Sequence, residues 1–136
     1  MEISVALDYV RKNHRAVIQT YRRDGSPQLA PMAVDVDAED KVIISCRETA
    51  LKVGHLRRDP RVALCVLPDK WFGRWVQIEG TAEIISLPEA MPRLIDYYRS
   101  MQGEHPDWDD YRAAMVKDQR LIIRITVERA GPDRLG

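Results

Sequence analysis

Nothing in this chain runs apolar for long enough to cross a bilayer, and its opening segment, Met1 to Val10, is interrupted by Glu2 and Asp8. Neither a membrane span nor a secretory leader is expected. Net charge is absent as well. The 21 Lys and Arg residues offset 21 Asp and Glu, which leaves no basic field of the kind that holds a nucleic-acid backbone. Nucleic acid and membrane are therefore not expected partners. Cysteine is scarce: Cys46 and Cys65 sit inside the apolar runs Val42 to Cys46 and Val62 to Leu67. A thiol in such a run most often behaves as a small buried hydrophobe, the other readings being a reactive thiol or a disulfide. The default compartment is then the cytoplasm. The chain also lacks a Gly-rich dinucleotide fingerprint, a P-loop, a Cys-x-x-Cys pair, an HExxH helix and a G-x-S-x-G elbow. His14, His55 and His105 stand alone, so no metal site is expected and a catalytic triad has no support. The side chains are not the expected reactive agents; something bound would carry the chemistry.

What is present is an ordinary globular composition, 136 residues with 45% hydrophobic and 31% charged, enough for one core and one domain over residues 1–136. Ile3, Ala6, Leu7 and Val10 recur at helical spacing. Arg15 to Arg22 reads as a strand, Asp24-Gly25-Ser26-Pro27 as a turn and Gln28 to Val36 as a second strand, with Pro31 marking an edge, a bulge or a kink. Asp35 to Asp40 forms another turn, and Lys41 to Cys46 a third strand. Thr49 is a candidate N-cap for a short helix that Asp59-Pro60 ends. Arg61 to Leu67 and Arg74 to Ser86 read as strands, the second bent or bulged near Gly80. Leu87-Pro88-Glu89 opens a helix through Met101, Trp108 to Val116 is a further helix, and Leu121 to Glu128 a last strand before a loose Gly/Pro-rich tail from Ala130. Tight turns rather than helical crossovers join most strands. The expected fold is therefore mainly β with peripheral helices (α+β), an antiparallel barrel of six strands.

Two features have chemical character. Ser45 and Arg47 end the third strand, Thr49 caps the next helix and Lys52 lies in its first turn, a convergence suited to a phosphate. The alternative is that Thr49 only caps while Arg47 and Lys52 are solvated. The second feature is the run Trp71-Phe72-Gly73-Arg74-Trp75, which suits stacking on a flat ring, an oligomer contact, or simple cover for the core.

Four segments then carry a resemblance: Gly25-Ser26-Pro27-Gln28-Leu29; Lys52 with His55-Leu56-Arg57-Arg58-Asp59-Pro60-Arg61; Glu79-Gly80-Thr81-Ala82; and Gly103-Glu104-His105-Pro106-Asp107-Trp108-Asp109-Asp110-Tyr111-Arg112. In this order they resemble the pyridoxamine-phosphate-oxidase-like split β-barrels, and within them most closely the actinobacterial deazaflavin-dependent reductases. The resemblance implies a homodimer with cofactor sites in grooves between subunits, and coenzyme F-420 (a deazaflavin) as cofactor with FMN as the alternative. It implies that Ser45 and Lys52 hold the cofactor phosphate, with Arg47 and Thr49 beside them. It further implies that Gln28 to Ala33, with Pro31 and Met32 nearest, lies along the ring system, and that Trp71 or Trp75 of the other subunit completes the pocket. The implied reaction is hydride transfer to a conjugated small-molecule substrate. Vitamin B6 oxidation fits poorly, because the end of the chain, Arg124 to Gly136, has no tryptophan.

Overall fold

A computed structural model describes residues 1–136. Its elements are α1 (Ile3–Lys12), β1 (Arg15–Tyr21), β2 (Pro27–Ala33), β3 (Asp35–Val36), β4 (Val42–Arg47), α2 (Leu51–Arg58), β5 (Arg61–Leu67), β6 (Arg74–Ile85), α3 (Met91–Gln102), α4 (Trp108–Lys117) and β7 (Arg120–Leu135). No helix is long and apolar enough to cross a membrane.

All strand pairs are antiparallel, in the order β2-β1-β5-β6-β7-β4-β3. The two edge strands, β2 and β3, are consecutive in the chain and separated only by Val34. A sheet whose opposite edges are joined through one residue has to curl until those edges meet. Val34 is the point of exchange: its amide still donates to the His14 carbonyl at 2.9 Å, whereas Asp35 and Val36 already pair with Ile43 and Val42 of β4. The expected second strand, Gln28 to Val36, is therefore two strands serving two edges, and the count is seven rather than six.

Alternation fills the inside. Ala16 and Ile18, Val62, Leu64 and Val66, Val76 and Ile78, Val42, Ile44 and Cys46, and Leu121, Ile123 and Ile125 form one buried cluster with α1 and α2. On the opposite face of β4 and β7, Ile43 and Ile122 join Ala90, Leu94 and Tyr111 in a second cluster under α3 and α4. Apolar contact on both faces explains why these two strands read as continuous hydrophobic runs rather than alternating ones. The cover is an αα-hairpin that turns at Gly103 (φ 80°) and restarts at Asp107, whose carboxylate accepts from the Asp110 amide. The rings of Tyr98, His105, Trp108 and Tyr111 lie with centroids 5.0 to 5.8 Å apart and lock it together.

The expected bend at Gly80 is present as a shift in the β6–β7 register between Glu79 and Gly80. Three other expectations are corrected. The tail from Ala130 is not loose: β7 continues to Leu135, because Arg74 and Trp75 pair with Leu135 and Arg134, and Arg74 grips Asp133 through two hydrogen bonds of 2.7 and 2.9 Å. The helix expected from Leu87 starts at Met91 instead. The cysteines are both free, but only Cys46 is buried; Cys65 points to the outer face and is half-exposed.

One buried ion cluster ties the turn after β3 to the sheet. Arg124, 12% exposed, bonds to Asp37 at 2.8 Å and to Glu83 at 3.2 Å, and Arg93 approaches Asp37 at 3.5 Å. Burial pushes the Asp37 carboxyl up, but hydrogen bonds from Arg124 and from the Lys41 and Glu39 amides outweigh it and hold the group below its usual value. A depressed carboxylate pKa adds stability above the unfolded value, and that stability is lost as pH falls through the folded value. Arg124→Met is expected to cost about 1–2 kcal/mol at neutral pH, Arg93 still balancing Asp37 in part. The acid-unfolding midpoint should move to higher pH, which urea titrations across the acid range measure.

Candidate functional site

The curled sheet leaves a gap where its edges diverge. The Ser26 carbonyl accepts from the Arg22 amide and the Val34 amide donates to His14, so the even-numbered residues between them turn their backbone groups toward β1. Pro27, Leu29, Pro31 and Ala33 consequently turn theirs to the free edge. Two of these lack an N–H, which is why proline is tolerated here and why the edge does not recruit a neighbouring strand. Pro31 is thus an edge proline. Across the gap, β3 covers β4 only at Val42 and Ile43, so from Ile44 to Arg47 the second edge of β4 is open too. The result is a wedge bounded by the backbone of β2 and the end of β4.

Tyr97 of α3 sits at the narrow end. Its hydroxyl donates to the Ala33 carbonyl at 3.0 Å and faces the Ser45 backbone, and burial pushes its pKa up to about 12. It stays a neutral phenol throughout the working pH range. Along β2 the side chains split: Gln28, Ala30 and Met32 are half-buried, whereas Leu29, Pro31 and Ala33 are exposed. The side-chain amide oxygen of Gln28, Oε1, is buried with no hydrogen-bond partner.

At the other side, Ser45 lies half-buried on the face of β4 that carries Ile43 and borders a groove of about 360 Å³ beneath α3 and α4. Arg47 is exposed and lies 3.8 Å from Asp118. Thr49 is not the cap that its position suggested. The Ala50 amide bonds back to the Arg47 carbonyl at 3.0 Å, the turn ends one residue later, and Thr49 is left exposed. Ala50 occupies the N-cap position without a side-chain bond, and the Leu51 and Lys52 amides find no acceptor in the chain. Lys52, half-buried in this first turn, makes no ion pair; the nearest acid in sequence, Glu48, is already bound to the Ser86 hydroxyl and, at 2.9 Å, to Arg57. Those bonds hold the Glu48 carboxyl below its usual value. Burial raises the Cys46 pKa while the charges of Lys52 and Arg120 oppose it, so both cations lie around the end of β4.

The aromatic loop is placed elsewhere. Trp71 is 76% and Phe72 72% exposed, and they border a hollow of about 330 Å³ with Arg15 and Trp75. None of Gln28, Pro31, Met32, Ala33, Ser45 or Lys52 borders that hollow. Within one chain, then, β2 from Gln28 to Ala33 and the end of β4 with Ser45 border the wedge, Lys52 lies near the end of β4, and Trp71 and Trp75 border a separate hollow. Two residues escaped the sequence reading. Arg120 reaches the site through the β4–β7 register, directly opposite Arg47, and Tyr97 through the packing of α3; neither has a local signal.

A curled antiparallel sheet of seven strands whose opposite edges are joined through a single residue is a split-barrel architecture. The sequence pattern described as pyridoxamine 5'-phosphate oxidase matches residues 5–132, and the chain belongs to that family. Among solved structures it is similar to the conserved hypothetical protein Rv2991 of Mycobacterium tuberculosis, with 27% identity, a TM-score of 0.77, and 96% of this chain and 82% of that one covered. An F420 reductase shares the fold at 21% identity and TM-score 0.68, covering 91% of this chain and 94% of that one. So does HutZ, the heme storage protein of Vibrio cholerae, at 12% identity and TM-score 0.73, covering 100% and 98%.

The residues suit a phosphorylated tricyclic cofactor. A buried acceptor without a donor costs about 1–3 kcal/mol, and a ring imide N–H beside Gln28 would remove that cost. The uncapped α2 amides and Lys52 suit the phosphate.

Proposed function

We propose that this protein is a coenzyme F-420-dependent reductase that passes a hydride to a conjugated acceptor of the biliverdin, quinone or enone type. The observation that carries the reading is the unneutralised Lys52 at an uncapped helix start near the open-edged end of β4. Lys52 and the Leu51 and Lys52 amides hold the phosphate, Ser45 adds a hydroxyl from the strand end, and Arg47 and Thr49 form the outer rim. The backbone of β2 from Gln28 through Pro31 and Met32 to Ala33 lines the ring. Reduced deazaflavin, when bound, supplies a hydride at low potential. The chain itself contributes orientation and exclusion of water, and no nucleophile.

A homodimer belongs to the same reading, with Trp71 or Trp75 of a second copy closing the pocket. Trp71 stands 76% exposed, with the neighbouring Phe72 ring 5.3 Å away. Trp71→Ala is therefore expected to leave the thermal melt unchanged while weakening cofactor binding about tenfold, the scale of a lost aromatic anchor. Equal affinity for the variant and the parent would remove this loop from the site.

The family match favours a second reading, an FMN-dependent oxidase or reductase on the same residues, and a third is a cofactor carrier without turnover. Titration with each cofactor decides. Tight quenching of deazaflavin fluorescence with no response to FMN supports the reductase; the reverse overturns it in favour of FMN. Binding of reduced deazaflavin without oxidation by any enone, quinone or biliverdin leaves the carrier.

A further inference from the structure

Arg120 is half-buried, forms no ion pair and donates no hydrogen bond within the chain. Arg47, directly opposite on β4, has the neighbouring carboxylate of Asp118 at 3.8 Å. Like charges facing each other across a ladder repel, and Arg120 has no carboxylate of its own to offset that repulsion. An anion at Arg120 would relieve both.

The surroundings define its shape. Arg120, Ser45 and Gln102 supply the polar side chains of the 360 Å³ groove under the α3–α4 hairpin, and Tyr97, Tyr98, Tyr111, Met101 and Met115 its rings and thioethers. The Tyr111 hydroxyl is committed to the Leu94 carbonyl at 2.8 Å and that of Tyr97 to Ala33, so these two offer ring surface, and only the Tyr98 hydroxyl is uncommitted among the tyrosines of the groove. Lys52 does not border the groove. One cation under flat apolar walls suits a planar monoanion. A dianionic phosphate would find only a single charge here.

We propose that the α3–α4 groove is a binding site for an aromatic or conjugated monocarboxylic acid, the carboxylate paired with Arg120 and the flat body held between tyrosine rings and methionine side chains. A fork of guanidinium donors matches a carboxylate, and unbranched thioethers adapt to different ring edges. The proposal shares Ser45 with the cofactor reading but does not rest on it.

Calorimetric titration of the full chain with 2-naphthoate and its uncharged analogue 2-naphthol tests it. Naphthoate should bind about tenfold or more tightly than naphthol, the carboxylate supplying the difference. Arg120→Gln should erase that difference, Arg120→Lys should keep part of it, and Met115→Trp, which fills the groove, should abolish binding of both. Lys52→Ala should leave naphthoate affinity at the parent value, so that this proposal and the cofactor reading fail separately. The proposal is overturned if naphthoate does not bind, if Arg120→Gln binds it as well as the parent does, if Lys52→Ala loses it, or if inorganic phosphate displaces it at millimolar concentration.

Discussion

Replacing Lys52 by alanine is expected to weaken cofactor binding by about 1.5–3 kcal/mol, the worth of a hydrogen bond to a charged group. The fold should be untouched. Lys52 makes no ion pair that the substitution would break, and alanine is at least as good a helix former in the first turn of α2. The measurement is a titration of the parent and of Lys52→Ala with F-420, FMN and riboflavin, followed by fluorescence. Riboflavin carries a ring but no phosphate, so whichever phosphorylated cofactor the parent binds should be preferred over riboflavin, and the variant should lose most of that preference. Unchanged affinity for every ligand would remove Lys52 from the site and leave the reductase reading without its main support.

Gly80→Ala is expected to cost about 3 kcal/mol or more, at the upper end of what inserted volume does in a packed interior. A Cβ at this position would overlap the carbonyl oxygen of Thr126 and press within 3.1 Å of the Ile125 side chain. A backbone carbonyl cannot rotate away as a side-chain tip does, and Gly80 lies where the β6–β7 register shifts. Relief would require the ladder between these strands to part, and that ladder holds Ile125 in the core. A urea or thermal unfolding midpoint for Gly80→Ala close to that of the parent would show that the bulge is softer than its contacts imply. Gly54→Ala makes a suitable control, since a Cβ there meets nothing within 4 Å and alanine favours the helix.

Most elements were legible because their signals are local. The strands β1, β4, β5 and β6 follow from apolar alternation or runs between turn residues, and the bulge from a lone glycine in a long strand. The edge role of Pro31 follows from its missing N–H. Thr49 misled because hydroxyl residues signal a helix start in general, while the hydrogen bond from Ala50 to Arg47 set the start one residue later in this turn. The tail misled because glycine and proline content argues for looseness, whereas Arg74 and Asp133, 59 residues apart, hold it in the sheet.

The candidate site divides in the same way. Ser45, Lys52 and the β2 segment were within reach because each lies on or beside a strand end or helix start that can be read from a few neighbours. Arg120 and Tyr97 were not, since a cross-strand register and a helix crossing bring them in, and neither has an expression in local spacing.

The sequence by itself determined an antiparallel mainly-β chain with a lysine near a helix start and no reactive side-chain motif, because periodicity, turn chemistry and charge placement are short-range properties. Only the tertiary structure decided that two consecutive strands occupy opposite edges of one sheet, that the edges part toward the end of β4, and that an unpaired arginine lies under an aromatic roof. Those outcomes depend on where distant segments meet, and that is settled by curling the whole sheet around one core.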